Sequence, residues 1–199
     1  MDENSPNTSH LHEAYRLIDE QNSCDPVCEI HDGIEYPKEL LYSKRMTSRL
    51  ETLFPSAPEP VRLAARSHHI RRWTISRTSF PDGRTGYLQW RRVLANFHAQ
   101  TVGEILEKVG YAAPMIKRVQ ALIRKEKLDT DLEAQMLEDI ICLVFLEHYL
   151  NGFLIKYGEK KASRVIRKTW RKMSATAHKW AVENICFGDL DTLVKEAIT

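Results

Sequence analysis

Apolar residues recur every three or four positions along most of the chain, which is the spacing of amphipathic helices. The first such stretch, LHEAYRLIDEQN at 11–22, predicts a short helix with Leu11, Tyr15 and Ile18 on one face. From residue 37 onward the pattern is nearly continuous. It predicts helices at 38–54, 59–73, 87–110, 113–128, 132–158, 159–173, 174–185 and 189–198. No stretch shows the alternation typical of a half-buried strand, so we expect an all-α fold.

The stretch LEAQMLEDIICLVFLEHYLNGFLIKYG at 132–158 is apolar nearly all round in its middle, which predicts the central buried helix of a bundle. Residues 1–9 have almost no apolar content and are expected to be disordered. Pro26, Gly33 and Pro37 interrupt the next segment, which predicts a loop or arm. We therefore expect a tail, short helix and loop over 1–36 and one helical domain over 37–199.

Composition changes this picture little. The 199 residues are 43% hydrophobic and 28% charged, and the formal net charge is +2. Binding to a polyanion would therefore have to come from local clustering of basic residues. No uninterrupted apolar run approaches the roughly 18 to 20 residues that cross a bilayer, and the polar start is unlike a signal peptide. We expect a cytoplasmic or nuclear protein without a membrane partner, and four reduced cysteines.

His98 lies on a helix face that is otherwise apolar. Its neighbours at helical spacing include Leu94, Val102 and Ile105. A buried imidazole needs hydrogen-bond partners for its nitrogens. The simplest interpretation is a core histidine bonded to a carbonyl or a carboxylate, and a metal ligand is the alternative.

Glu138 and Asp139 lie in the apolar helix, and neither has an obviously solvated face. Burying an unpaired carboxylate costs several kcal/mol or forces it to be neutral. A cation must therefore meet at least one of them. It is either an arginine from the segment described next, or a divalent metal held together with His98 and one of His68 or His69.

The segment ARSHHIRRWTISR at 65–77 belongs to a run of arginines. From Arg62 to Arg92 the chain has eight arginines, one acid, Asp82, and no lysine, with Trp73 and Tyr87 interleaved. Arginine makes bidentate contacts with phosphate and stacks on aromatic rings or bases. The choice of arginine favours geometric recognition of phosphate, although some of these side chains are expected to pair with the protein's own carboxylates.

Three stretches resemble the HD superfamily, which comprises all-α, metal-dependent phosphohydrolases named for a His-Asp doublet. LAARSHHI at 63–70 looks like the helix that carries the doublet. FHAQTVGEILEKVGYAAPMIKRVQALIRKE at 97–126 is similar to the later region in which a histidine begins a helix, and His98 takes that position. LEDIICLVFLEHY at 137–149 resembles the closing helix whose aspartate completes the metal site. The resemblance implies that Asp139 is that ligand.

The chain departs from the HD pattern at several positions. His69 stands where the doublet should supply its aspartate, so a carboxylate that bridges two metals is missing. The preceding helix offers Lys44 and Arg45 but no histidine, and Lys125 occupies the place where a histidine often ends the later helix. These differences leave at most a site for one metal.

A second resemblance covers nearly the whole chain from about Leu11. PKELLYSKRM, HIRRW, GYLQWRRVLANFHA, LEDIICLVFLEHY and KTWRKMS together are similar to the uncharacterised family called domain of unknown function 4202. That family implies an ancestry and no established activity. It is compatible with a degenerate HD-like helical bundle.

The leading hypothesis is an HD-like domain that binds a phosphorylated small molecule or nucleotide and hydrolyses it with one divalent metal, Mn, Fe, Co, Ni or Zn. His69, His98 and Asp139 would hold the metal and lower the pKa of a bound water toward neutrality. Glu138 would act as the general base. The remaining candidates are Arg66, Arg72, Arg77 and Arg91 for the phosphate, Trp73 or Tyr87 for stacking on a base, and His68 and Glu147 behind the ligands.

The alternative hypothesis is a non-catalytic module that binds RNA or another acidic partner through the arginine and aromatic surface. Spacing leaves open which of His68 and His69 faces the pocket, since an alanine lies one turn before each. The oligomeric state is likewise left open.

Overall fold

The computed structural model describes residues 6–126 and 130–198. Within these residues it contains helices and one short hairpin, which confirms the all-α prediction. The first elements are α1 (Pro6–Asn22), β1 (Cys28–His31), β2 (Ile34–Pro37), α2 (Lys38–Leu53), α3 (Glu59–Ser67), α4 (Gly83–Val109) and α5 (Ala113–Ile123). They are followed by α6 (Leu132–Val144), α7 (Leu150–Tyr157), α8 (Glu159–Trp170), α9 (Ala175–Asn184) and α10 (Asp191–Ile198). Short 3-10 turns lie at 72–74, 77–79 and 188–190.

Helix α6 lies in the middle of the fold, as its apolar sequence predicts. Leu137, Ile140 and Leu143 are fully buried, and the helix packs against α2, α3, α5 and α9. A π-helical turn at Phe145–Tyr149 joins α6 to α7 without a break. The resulting 26-residue helical stretch is long and apolar enough, by length and composition alone, to cross a membrane. This differs from the prediction that no stretch reaches that length.

Helix α1 belongs to the hydrophobic core. Ala14 and Ile18 are fully buried, and the helix contacts α2, α3 and α4. It begins at Pro6, so the prediction that residues 1–9 are disordered is wrong for residues 6–9. Residues 1–5 lie outside the described residues.

The loop predicted between α1 and α2 contains an antiparallel hairpin. Asp32 and Gly33 form its turn with φ values of 51° and 77°, which is the Asp-Gly signature of a two-residue hairpin. The strands have only four residues each and are largely solvent-exposed, so the apolar pattern did not reveal them. The carboxylate of Asp25 accepts hydrogen bonds from the backbone N–H groups of Val27 (2.9 Å) and Glu39 (3.0 Å), which fixes the hairpin to the start of α2.

Helix α3 ends at Ser67, six residues earlier than predicted. The chain turns there, and Arg71 adopts a left-handed conformation with φ of 51°. The side-chain oxygen of the buried Asn22 accepts the N–H of Arg71 at 3.0 Å and so supports the turn. This early end exposes the backbone carbonyl of Ile70 to α4, where it becomes part of the site described below.

Candidate functional site

Three histidines lie together between α2, α4 and the end of α3. The ring of His69 stacks on Tyr42 (centroids 4.0 Å apart) and on His68 (4.9 Å), and lies 6.1 Å from the ring of His98. His68 and His98 are buried and His69 is partly buried. The structure thus brings together the three histidines that the sequence singled out, and both members of the doublet belong to the cluster.

His98 has one satisfied nitrogen and one unsatisfied nitrogen. Its Nδ1 lies 2.7 Å from the carbonyl oxygen of Ile70, and because a carbonyl can only accept, Nδ1 carries the proton. This confirms the interpretation of a core histidine bonded to a carbonyl. Nε2 is then a buried acceptor without a partner among the described residues, and Nδ1 of His68 is also without one. Burial lowers the pKa of His98 to about 4, so the ring is neutral near pH 7.

Glu39, His69 and Arg72 form a polar chain at one side of the histidines. Nη1 of Arg72 lies 3.2 Å from Nε2 of His69, and because arginine can only donate, the imidazole proton is on Nδ1. That nitrogen is 3.2 Å from Oε2 of Glu39. Burial raises the pKa of Glu39 to about 7, against the opposing charge of Arg72. Burial also lowers the pKa of His69 well below its ordinary value. Near neutral pH the chain therefore holds one permanent cation and a carboxyl that is only partly ionised.

Glu138 meets two lysines. It pairs with Nζ of Lys125 and accepts a hydrogen bond from Nζ of Lys172 at 3.0 Å. Burial alone would raise the pKa of Glu138, but the two ammonium groups outweigh it and lower the pKa below its usual range. The prediction that a cation meets at least one of Glu138 and Asp139 is confirmed at Glu138, where the cations are lysines and neither of the two alternatives, an arginine or a metal. As part of a salt bridge, Glu138 is not available as a free general base.

Lys125 ends α5 in an unusual conformation. Its φ is 58°, and its N–H and that of Glu126 donate to the carbonyls of Leu122 (3.0 Å) and Ala121 (3.1 Å). These bonds form a Schellman motif, in which glycine is the usual residue at the left-handed position. A lysine there costs conformational free energy, and its side chain is directed to Glu138.

Arg72 and Arg91 complete the positive side of the cluster. The Arg72 guanidinium lies over the ring of Trp90 (4.7 Å), and the Trp90 indole donates to the carbonyl of Ile75 (2.9 Å), which holds the 3-10 segment against α4. Arg91 donates to the Tyr87 hydroxyl at 3.2 Å. Burial first, and then the charges of Lys125, Arg91 and Arg72, lower the pKa of His68 well below its ordinary value.

We call this cluster of side chains the histidine pocket; the name denotes the side chains and not an enclosed cavity. Its members are His68, His69, His98, Arg72, Arg91, Lys125 and Lys172, with Glu39 and Glu138 as counter-charges. Partial burial raises the pKa of Tyr87, but Arg91, Arg72 and Lys172 together lower it below its usual range, so Tyr87 lies at the same positive region.

The predicted metal ligands do not converge. Both oxygens of Asp139 are already engaged: Oδ1 accepts from Gln135 Nε2 (2.9 Å) and from the backbone N–H of Ser174 (2.8 Å), and Oδ2 accepts from Ser174 Oγ (2.6 Å). In the part of the chain that the structure describes, no three His, Cys, Asp or Glu residues are placed to hold a metal ion. A one-metal site built from His69, His98 and Asp139 therefore does not fit this arrangement.

A family model for the Domain of unknown function (DUF4202) matches residues 12–194, nearly the whole chain. The chain belongs to this family. No curated protein and no solved structure matches it. The family assignment made from the sequence is confirmed, and the resemblance of this DUF4202 chain to the HD superfamily stays a prediction.

Four of the residues predicted for the site of this DUF4202 protein lie elsewhere or in other roles. Arg66 donates to the Asp19 carboxylate (2.8 Å) and lies over Tyr15, so it ties α3 to α1. Arg77 donates to the carbonyl of Phe80 (2.9 Å) and stabilises its own loop. The remaining two are Glu147, which pairs with Arg49, and Trp73, which is partly buried while Trp90 takes the place under Arg72.

The sequence did not indicate Glu39, Tyr42 and Lys172 as residues of the site. Lys125 was noted only because it stands where the HD pattern often has a histidine. Tyr42 and Met46 lie three and seven positions after Glu39, so the three residues share one face of α2. An acid on this buried face was a signal that the sequence offered. Lys172 follows the end of α8, and nothing in its local sequence distinguishes it from the other exposed lysines.

Proposed function

We propose that this protein binds a phosphorylated small molecule or nucleotide in the histidine pocket. The observation that carries the proposal is the excess of positive charge. Three cationic side chains pair with the two acids: Lys125 and Lys172 with Glu138, and Arg72 with Glu39. A fourth, Arg91, is bonded to neither acid, and Glu39 is only partly ionised because its pKa is raised to about 7. Neutral histidines contribute nothing to balance that charge. An anion with several oxygens is the ligand that such a cluster stabilises.

The conformation of Lys125 supports this proposal. A lysine in a left-handed position is disfavoured by sterics, and glycine would close the Schellman motif at lower cost. Residues held in sparsely populated conformations cluster at functional sites. The backbone of Lys125 is thus held where its ammonium group reaches the pocket.

The unpaired histidine nitrogens suit a ligand that carries hydroxyl groups. Nε2 of His98 is a buried acceptor, and a buried acceptor without a donor costs about 1 to 3 kcal/mol. A protonated phosphate oxygen or a sugar hydroxyl can donate to it. Tyr87 is 42% exposed and lies 5.9 Å from the ring of Trp90, so it offers a face on which a base could stack.

Hydrolysis of the bound phosphate with a divalent metal stays a prediction from the sequence resemblance. The predicted ligands do not fit a shared site. Binding of RNA through the arginines of 62–92 also stays a prediction. It is weakened by the internal contacts of Arg66 and Arg77.

Arg91 and its neighbour Arg92 provide a matched test. Both are exposed arginines of α4, but only Arg91 acts on His68 and Tyr87. We expect Arg91→Ala to weaken the binding of inorganic phosphate and of adenosine monophosphate by on the order of ten- to a hundredfold, since a hydrogen bond to a charged group contributes about 1.5 to 3 kcal/mol. Arg92→Ala should bind as the wild type does. The affinities are measured by isothermal titration calorimetry at low ionic strength.

Two results would contradict the proposal. One is that the wild-type protein shows no heat of binding with either ligand at millimolar concentration. The other is that the two variants lose affinity equally, which would mean that any positive charge on α4 contributes to binding and that the position of Arg91 is not specific. Circular dichroism of both variants excludes a loss of helix as the cause.

A further inference from the structure

Helix α8 presents a continuous row of positive charge to solvent. Five basic residues of α8 and Arg171, which directly follows the helix, fall within about 120° of its circumference at 100° per residue, and all six are exposed. We call this row the basic stripe, and its members are Lys160, Lys161, Arg164, Arg167, Lys168 and Arg171. At 1.5 Å per residue the stripe runs for about 16 Å.

Acids in the described part of the chain do not neutralise the basic stripe. None of its members forms a salt bridge with an acid among the described residues, and Arg167 bonds only to the hydroxyl of Ser163 (3.1 Å). The opposite face of α8 carries Ala162 and Ile166, which are fully buried, and the helix packs against α7 and α10. Packing therefore fixes α8 with its charges outward. A row of like charges without counter-charges is a site for a polyanion.

The stripe leads to the histidine pocket. Arg171 at its end is followed by Lys172, which donates to Glu138 at 3.0 Å and whose charge also acts on Tyr87. At the other end the ammonium group of Lys161 lies 3.8 Å from the centre of the Tyr157 ring, and this ring is 44% exposed. Basic residues thus follow the chain from Lys160 to Lys172, which belongs to the pocket, and an exposed aromatic ring lies near each end, Tyr157 beside Lys161 and Tyr87 beside Arg91.

We propose that the basic stripe binds the phosphate backbone of a single-stranded nucleic acid whose terminal phosphate lies in the histidine pocket. Repeated phosphates match a row of cations, and exposed aromatic rings bind unpaired bases by stacking. The exposed face of α8 carries no large apolar side chain, so it lacks what a helix needs to insert into a lipid surface. This inference rests on the proposed function, because it places the terminal phosphate of the strand in the histidine pocket. It identifies the phosphorylated ligand as an oligonucleotide.

The test compares ligands of different length on two triple variants. The stripe variant carries Lys160→Gln, Arg164→Gln and Lys168→Gln. The control variant carries Lys44→Gln, Lys108→Gln and Lys117→Gln, which remove the same charge from exposed positions on α2, α4 and α5. The ligands are adenosine monophosphate and fluorescent single-stranded ten-nucleotide RNA and DNA, each with and without a terminal phosphate. A ten-base-pair duplex and vesicles that contain phosphatidylserine are included for comparison.

We expect the wild type and the control to bind the phosphorylated single strand at least tenfold more tightly than the mononucleotide. The stripe variant should lose on the order of tenfold or more of that affinity at low salt, and its salt slope should fall by about 2, since each phosphate contact contributes about 0.7. The RNA and DNA arms decide which sugar the strand carries.

Equal affinity of the stripe and control variants for the oligonucleotide would overturn the inference, and so would preference for the duplex or binding to the vesicles alone. The proposed function has a separate readout. If the stripe variant binds adenosine monophosphate as the wild type does, binding in the histidine pocket is independent of the basic stripe and the proposed function is supported. If the terminal phosphate has no effect on the affinity for the oligonucleotide, the strand end does not lie in the histidine pocket and the inference fails. The proposed function fails only if adenosine monophosphate and inorganic phosphate do not bind.

Discussion

Single residues determine the charge of the histidine pocket, and Glu39 is the one whose charge changes near neutral pH. Its carboxyl is 6% exposed and lies between His69 and Arg72. Burial raises its pKa from 4.5 to about 7, while the histidines are neutral because burial lowers theirs. A fall in pH below 7 therefore removes a negative charge from the pocket without removing a positive one.

The first prediction at this scale concerns Glu39→Gln, which imitates the protonated acid. The folded protein keeps this proton to a higher pH than the unfolded chain does. The contribution of Glu39 to the free energy of unfolding is thus complete below about pH 4.5 and is lost as the pH rises toward 7. The free energy of unfolding of the wild type, measured relative to that of the variant, should therefore fall by up to about 3 kcal/mol from pH 5 to pH 8.

Urea unfolding at several pH values measures this difference, and the histidines cancel because both proteins contain them. Glu35→Gln, an exposed carboxylate of β2, is the control and should show no such trend. A pH-independent difference for Glu39→Gln would mean that this carboxyl ionises normally in the folded protein.

At the scale of elements, Asp139 links two helices. It lies on α6, and Ser174 precedes α9, where the serine hydroxyl also accepts the N–H of Ala177 at 3.2 Å as a helix cap. The buried carboxylate thus receives two hydrogen bonds from the residue that starts the next helix. This arrangement explains why an acid is tolerated on the buried face of α6 without a metal ligand role.

Ser174→Ala tests that explanation. The variant removes the helix cap and leaves Oδ2 of Asp139 without its donor, so it should lower the free energy of unfolding by about 1 to 3 kcal/mol. Asp139→Ala should be destabilising as well, and the double variant should be less destabilised than the sum of the two, because the residues share one interaction. Elemental analysis of the purified variants is the decisive control. If Asp139→Ala lost a bound metal that Ser174→Ala kept, Asp139 would be a metal ligand after all.

The helices could be predicted from the sequence because their apolar faces are continuous, as in α2 and α5. Their ends could not be predicted where a contact with a distant part of the chain competes with helical propensity. The pattern at 59–73 continues to Trp73, but α3 ends at Ser67 because Arg71 turns and binds Asn22, a residue 49 positions earlier. The attachment of the hairpin to α2 likewise depends on Asp25, which accepts a hydrogen bond from the N–H of Glu39, and no local pattern encodes a contact of that range.

For the whole molecule, a net charge of +2 conceals an uneven distribution. The basic stripe lies on one helix, while Glu138 and Asp139 lie inside. The sequence identified His98 and Glu138 as unusual because polar residues on apolar faces are visible in a helical pattern. His68 and His69 were identified from the resemblance of their segment to the HD doublet. It could not show that Lys125 and Lys172, 47 positions apart in the chain, meet at one carboxylate. Pairing across a fold depends on tertiary packing rather than on spacing.

Glu138 connects the stability of the molecule to its proposed ligand. It is the buried counter-charge of two lysines, so Glu138→Gln should lower the free energy of unfolding by about 1 to 3 kcal/mol, less than for a fully buried pair because Lys172 is half-exposed. The same change leaves the histidine pocket more positive. Phosphate, which binds the folded state, should therefore raise the melting temperature of the variant more than that of the wild type.

Thermal unfolding in 10 mM phosphate and in chloride at equal ionic strength measures both effects. Glu133→Gln is the matched control, because it lies on the same helix but pairs with Arg118 at a distance from the pocket. Its stabilisation by phosphate should equal that of the wild type. A variant at Glu138 that is destabilised but gains nothing extra from phosphate would show that Glu138 only maintains the fold. A larger rise in the melting temperature with phosphate would mean that the Glu138 carboxylate stabilises the fold and lowers the affinity for the anion.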